Sequence, residues 1–231
     1  MKPSDASLMK VLALEFSSIV RSVAVLSCES AVPSPVVLGS ASDENAKALK
    51  PLVLVDVALQ QAGVEREGIE CLAVGLGPGS YTGVRSAISL AQGWQLARAV
   101  NLCGISSVDG LAAAAHLQGW FGAVGVVIDA QRDEFYFAGY EIAEPGWRLK
   151  EPLRIASRGD APALASNYRT IVGPEAARFF GVARILCPDA KILGGLARGR
   201  TDFTPGEKLE PIYLRETKFV KAPPPRMVPG L

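Results

Sequence analysis

The stretch Cys71-Leu-Ala-Val-Gly-Leu-Gly-Pro-Gly-Ser-Tyr-Thr-Gly-Val-Arg-Ser-Ala-Ile-Ser-Leu-Ala-Gln-Gly-Trp-Gln-Leu-Ala97 decides the fold. Cys71 to Val74 is a short apolar run that reads as a buried strand. It stops at a turn holding Gly75, Gly77, Pro78, Gly79 and Gly83. A run without Pro follows, charged only at Arg85 and Arg98, which predicts a helix from Gly83 to about Val100. Strand, glycine-rich turn and helix is the geometry in which backbone N–H groups at a helix start can face an anion. Two familiar phosphate loops do not fit. A Walker loop closes on Gly-Lys-Ser/Thr, and no Lys occurs between Lys50 and Lys150; a dinucleotide fingerprint needs Gly where Ser80 stands. A phosphate-facing loop over Gly77, Pro78, Gly79, Ser80, Tyr81, Thr82, Gly83 and Arg85 and a purely structural turn both remain open.

The helix that follows has two unlike sides. At 100° per residue Arg85, Ser89 and Gln92 gather on one, while Ala87, Leu90, Trp94 and Ala97 gather on the other, widened by Val84, Ile88 and Ala91. An apolar face must cover the sheet, and the remaining small residues would let another helix approach closely. Ser86, Ala87, Leu90, Gly93, Trp94 and Ala97 are therefore the candidate partner surface.

With 231 residues the chain can bury a sizeable core as one large domain or two small ones. Hydrophobic residues make up 49%, charged residues 20%, and mean hydropathy is +0.23, the composition of an ordinary, rather apolar, globular chain. A formal net charge of +1 argues against a protein that grips nucleic acid unaided. The charge is uneven: Arg184 to Arg226 holds nine Lys/Arg against five Asp/Glu, which a solvated basic face explains more simply than an RNA contact. Cys28, Cys71, Cys103 and Cys187 are widely spaced and mostly in apolar runs, so they read as buried free thiols in a reducing cytoplasm. No signal peptide or membrane span is evident, which predicts a cytoplasmic protein. The single histidine, His116, lies in an alanine-rich helix. One His and scattered Cys supply neither a histidine-based metal site nor a Ser–His or Cys–His pair, so no catalytic residue and no metal ligand is assigned.

Gly77-Pro-Gly-Ser-Tyr-Thr-Gly-Val-Arg85 resembles the Gly-Pro-Gly-Ser-Phe-Thr-Gly-Leu-Arg signature of the TsaB (YeaZ) family. These are bacterial partner proteins of the machinery that makes threonylcarbamoyladenosine in transfer RNA. They are paralogues of the catalytic subunit TsaD, within the actin/Hsp70/sugar-kinase-like fold group. Gly104-Ile-Ser-Ser-Val108 resembles the family's Gly-Val-Ser-Ser-Leu, and Pro211-Ile-Tyr-Leu-Arg215 its closing Pro-x-Tyr-Leu-Arg. Three places depart from the pattern. Glu15-Phe16-Ser17 stands for Asp-Thr-Ser, Asn45-Ala46 for His-Ser, and Asp129-Ala-Gln131 for Asp-Ala-Arg, with Arg132 one place late.

Taken in order, Lys10–Ser18 reads as a strand ending in an acid and hydroxyls, Arg21–Leu26 as its returning hairpin partner, and Val36–Leu38 as a third strand. Ser42 or Asp43 can cap a helix from Glu44 to about Ala62, bent at Pro51 and closed by Gly63. Val124 to Tyr140 repeats the plan strand, acid, turn, strand. Its Asp129 lies about 114 residues after Glu15, so the chain suggests two related halves with strand-end acids Glu15 and Asp129. Beyond Gly146 the pattern weakens: a short helix at Ala161–Tyr168, strands near Ile171 and Arg184, a helix over Asp189–Arg200, and a Pro-rich tail from Ala222.

The resemblance implies an α/β protein of two RNase H-like halves, 1–104 and 105–231, whose mixed sheets are flanked by helices with a shallow cleft between. It implies a non-catalytic subunit that binds and activates TsaD for threonylcarbamoyl transfer to adenosine 37 of tRNAs reading codons that begin with A. TsaE would join the same assembly. Transfer RNA would be met only through the complex, no cofactor would bind tightly, ATP or ADP would belong to the complex, and the free chain could homodimerise. Two rivals stand beside this reading. An ATP-dependent phosphotransferase of the same fold group would use Glu15, Asp129 and the 77–83 loop; a peptidase is suggested by a label of the wider family.

Overall fold

The computed structural model describes residues 9–28, 34–44 and 50–215. The expectations for Asn45-Ala46 and for the Pro-rich tail fall outside them. Among the described residues ten strands form two five-stranded sheets. The first contains β1 (Met9–Glu15), β2 (Arg21–Cys28), β3 (Val36–Asp43), β4 (Cys71–Gly75) and β5 (Asn101–Ile105), in the order β3-β2-β1-β4-β5. The second contains β6 (Gly122–Gln131), β7 (Glu134–Ala143), β8 (Gly146–Ser157), β9 (Thr170–Gly173) and β10 (Arg184–Ile185), in the order β10-β9-β6-β7-β8. The two orders are the same once β6 is set upon β1. In each sheet a central strand pairs antiparallel with its hairpin partner and parallel with the strand that returns after a helix.

The sequence dictates most of this. β1, β2 and β4 are nearly continuous runs of Val, Leu, Ala and Cys and are buried almost throughout, as strands covered on both faces must be. On one face, helices α1 (Pro51–Ala62) and α2 (Tyr81–Ala97) press Leu54, Val55, Ala58, Val84, Ala87, Ile88 and Ala91 onto Leu12, Leu14, Leu72 and Val74. On the other, α5 (Ala190–Leu196) packs Ala190 and Leu193 against Val11, Ala13, Leu26 and Ala73. Each fully buried Leu or Phe stabilises by about 1.5–3 kcal/mol relative to exposure. Residues 190–214, read from sequence as part of a C-terminal half, thus run back over the first sheet. There the Thr204 N–H bonds to the Leu102 carbonyl and the Ile212 N–H to that of Leu76. The helix α3 (Ser107–Leu117) covers the second sheet with Val108, Leu111, Ala112 and Ala115, and α4 (Ala161–Asn167) sits on its far side with Phe179 and Phe180.

Several expectations need correction. β3 runs on to Asp43, so neither Ser42 nor Asp43 caps a helix, and α1 begins at Pro51. Pro51 occupies the first turn, where a missing N–H costs nothing and the fixed φ suits the helix, so it starts the helix rather than bending it. β8 was not anticipated: its twelve residues carry Arg148, Lys150, Glu151, Pro152 and Arg154, and all but Ala156 are half-buried or exposed. As the edge of its sheet it tolerates both charge and a proline, which hides the alternation that marks interior strands.

Candidate functional site

The cleft between the sheets measures about 380 Å³. Its walls are the β1–β2 turn (Ser17, Ser18, Ile19, Arg21), the glycine-rich loop (Gly79, Ser80, Tyr81), the end of β6 (Ile128 to Gln131) and the loop after β9 (Pro174, Glu175). Four chain segments far apart in sequence therefore meet here, because β1 and β6 end at the same place in two like sheets.

The glycine-rich loop has a structural task. Gly79 has φ +148°, and a Cβ there would lie 2.1 Å from the Ser17 carbonyl oxygen; one on Gly83 would lie 1.9 Å from that of Phe16. The loop and the hairpin turn are held in backbone contact, tied by the Ser80 N–H to the Ser17 carbonyl at 2.6 Å. Ser80 caps α2, its hydroxyl accepting from the Gly83 N–H at 3.3 Å. α2 therefore starts at Tyr81, two residues earlier than the glycines suggest, and ends at Ala97.

The two strand-end acids differ. Glu15 is buried and faces away from the cleft, accepting from the Ser17 N–H at 2.8 Å and the Ser107 hydroxyl at 2.9 Å. Burial raises its pKa above the ordinary 4.5, and these hydrogen bonds oppose the rise. It fastens β1 to the start of α3, and Phe16 beside it is buried in the core. Asp129 does line the cleft. It accepts from the Gln131 N–H at 2.8 Å and forms an ion pair with Arg178. Glu175, which sequence reasoning missed, lies near it, its pKa raised first by burial and further by the Asp129 charge. Gln131, Arg132 and Asp133 all have positive φ, so the turn after Asp129 is a strained run of left-handed residues. That places Arg132 at the turn tip instead of beside Asp129.

A metal-bound nucleotide, which the fold group uses in such a cleft, is poorly served by these residues. Glu15 is turned inward, Phe16 replaces a hydroxyl with a buried ring, and the Asp129 carboxylate is engaged by Arg178. Among the described residues no group of three His, Cys, Asp or Glu could hold a metal ion. The Ser17 hydroxyl is buried in this wall against the Glu15 carboxyl, whose pKa it helps to hold down. Ser80 is committed to its cap, and the Ser17 hydroxyl to the buried, structurally engaged Glu15.

The other candidate residues lie on α2. Ser86 is half-buried and Gly93 and Ala97 are exposed, whereas Leu90 and Trp94 pack partly against the first core. Ala87 is fully buried, so it serves the core and not an outer surface. The solvent face is Thr82, Ser86, Ser89, Gly93 and Leu96, the last 90% exposed. Beside it on the same face of the sheet, α1 exposes Leu52, Val53 and Val57. Of the candidate surface, Ala87 goes wholly and Leu90 and Trp94 partly to the core, because sequence alone could not tell which apolar side the sheet would claim.

Tyr81 also joins a cluster that sequence reasoning did not assemble. Its ring stacks on Tyr213 with centroids 5.7 Å apart, and Arg85 lies over it and bonds its hydroxyl. Arg215, two residues on, crosses to the second sheet, donating to the Ala130 carbonyl at 3.1 Å and pairing with Glu134. The only hint was the closing Pro-x-Tyr-Leu-Arg string.

Comparison with known proteins follows the same lines. Residues 37–148 match the family described as TsaD: tRNA N6-adenosine threonylcarbamoyltransferase. The chain is 29% identical to the tRNA threonylcarbamoyladenosine biosynthesis protein TsaB of Escherichia coli K12, over 71% of this chain and 78% of that protein. It is 31% identical to an uncharacterized protein of Mycobacterium bovis, over 78% of this chain and 81% of that one. The solved structure of YeaZ from Pseudomonas aeruginosa superposes with a TM-score of 0.73 at 27% identity, covering 90% of this chain and all of the other. No helix among the described residues is long and apolar enough to cross a membrane.

Proposed function

This chain belongs to the TsaB/YeaZ family and so has a role in tRNA threonylcarbamoyladenosine biosynthesis, and we propose on that premise that it acts as the non-catalytic partner that binds and activates TsaD. In this reading TsaD carries the metal and transfers the threonylcarbamoyl group to adenosine 37. TsaE and ATP or ADP join at the complex, tRNA is handled by the assembly, and the free chain can pair with itself. The observation that carries it is the outer layer of the first sheet. α1 and α2 both cover that face of the sheet, and α1 exposes Leu52, Val53 and Val57 while α2 exposes Leu96. Apolar side chains gathered on one face mark a surface that another protein covers. The cleft supports the reading from the other side, since its acids are engaged structurally and offer no activated nucleophile.

The test is steric. A Cβ on Gly93 meets nothing within 4 Å, so Gly93→Arg should leave the fold intact, and Ser86→Arg tests the half-buried position two turns earlier. Either should block association with TsaD. A buried, unpaired charge costs several kcal/mol against the ~8 kcal/mol that holds a micromolar complex. Threonylcarbamoyladenosine should then disappear from the tRNA of complemented cells, measured by nucleoside analysis. Folded variants that still bind TsaD and restore the modification would show that the α2 face is not the contact.

A further inference from the structure

Every other ring pair among the described residues involves at least one ring that is buried or half-buried. Tyr81 and Tyr213 are different. They are 60% and 51% exposed, yet their rings stack with planes only 28° apart. Arg85, which meets both hydroxyls, holds these two largely exposed rings in place. The pair stands where three segments converge: the start of α2, the returning chain, and the rim of the cleft, which Tyr81 itself lines. On its other side a groove of about 310 Å³ is lined by Arg85, Ser89, Gln92, Glu210 and Tyr213. It offers a guanidinium, a hydroxyl, an amide and a carboxylate around one aromatic wall.

We propose that Tyr81, Tyr213 and Arg85 form a stacking platform for an unpaired nucleobase. Parallel aromatic rings beside a guanidinium are the surface on which bases stack when they are not in a duplex. Glu210 at the groove edge accepts from an exocyclic amino group, which favours adenine, guanine or cytosine. The platform is held by backbone: Ile212 is bonded to Leu76 at 2.9 Å, and Arg215 ties the next turn to the second sheet. A base arriving here therefore meets rings already in place. The base can come from a single-stranded segment of RNA or from a free nucleotide. This goes beyond the TsaD reading, in which RNA meets only the assembly, by giving this chain its own contact.

The experiment uses the full chain alone, titrated into a fluorescein-labelled short oligoadenylate and read by anisotropy, with AMP titrated separately by NMR. Tyr213→Leu and Tyr81→Leu keep apolar bulk and remove a stacking ring. Each should weaken oligoadenylate binding by about 5- to 100-fold, the range commanded by one stacked base. Tyr213→Phe keeps the stacking ring and should weaken binding less than Tyr213→Leu. Thermal unfolding checks that both Leu variants keep the fold, and either one alone suffices. Oligoadenylate binding that exceeds AMP binding assigns the platform to RNA; equal binding assigns it to a free nucleotide. Unaltered protein that binds neither probe, or a folded Leu variant that binds as well as the unaltered chain, overturns the proposal. TsaD is absent from the measurement, so its result leaves the TsaD reading untouched.

Discussion

Gly83 and Gly93 lie ten residues apart on one helix, and replacing each with alanine should change stability in opposite directions. In a helix interior Gly→Ala ordinarily stabilises by ~0.5–1 kcal/mol through the lost freedom of the unfolded chain. At Gly93 nothing lies within 4 Å of the new methyl, so this gain should appear whole. At Gly83 the methyl would sit 1.9 Å from the Phe16 carbonyl oxygen, against an ordinary contact of 3.4 Å or more. The obstacle is main chain, which no rotamer can relieve. α2 and the hairpin turn must part by roughly 1.5 Å, an overpacking that costs ~1–3 kcal/mol or more. The Ser80 to Ser17 backbone bond, worth ~0.5–1.5 kcal/mol, is stretched in the same movement. After the helix gain is subtracted, Gly83→Ala should destabilise by about 1–3 kcal/mol. For a chain of this size that is a fall in Tm of about 2–12 °C, while Gly93→Ala should raise it by about 1–4 °C. Thermal unfolding by circular dichroism measures both. Gly83→Ala with unchanged or increased stability would refute the claim that the glycine-rich loop exists to let α2 touch the β1–β2 turn.

Two further outcomes follow from the same packing. Glu15 has a folded pKa raised above its unfolded value, so its neutral form is favoured in the folded chain, and that stability is present below about pH 4.5 and lost as pH rises through the folded value. Glu15→Gln should therefore flatten the profile of stability from mildly acid to neutral pH, measured by urea denaturation across the range; an unchanged slope would remove Glu15 as its source. Pro51→Ala should change stability by less than about 1 kcal/mol, because Pro51 opens α1. Were it inside a longer helix, as the sequence pattern suggests, its removal should stabilise by up to ~3 kcal/mol, and thermal unfolding separates the two.

The sequence by itself determined the elements whose pattern is local. Unbroken apolar runs made β1, β2 and β4 legible, Gly63 closed α1 as read, and the repeat of strand, acid, turn and strand around Glu15 and Asp129 announced two like sheets. Only the tertiary structure decided what those residues do. Glu15 and Asp129 occupy matching places in the repeat, yet one is turned into the core by Ser107 and Gly75 and the other opens on the cleft. Ala87 and Gly93 both read as small helix residues, but the sheet claimed the first and left the second in solvent. Tyr213 lies 132 residues from Tyr81, and only the return of the chain over the first sheet puts the two rings in contact. Periodicity reports which side of an element is apolar; which of two apolar sides is covered, and by what, depends on partners distant in sequence, whose approach is set by packing and not by local pattern.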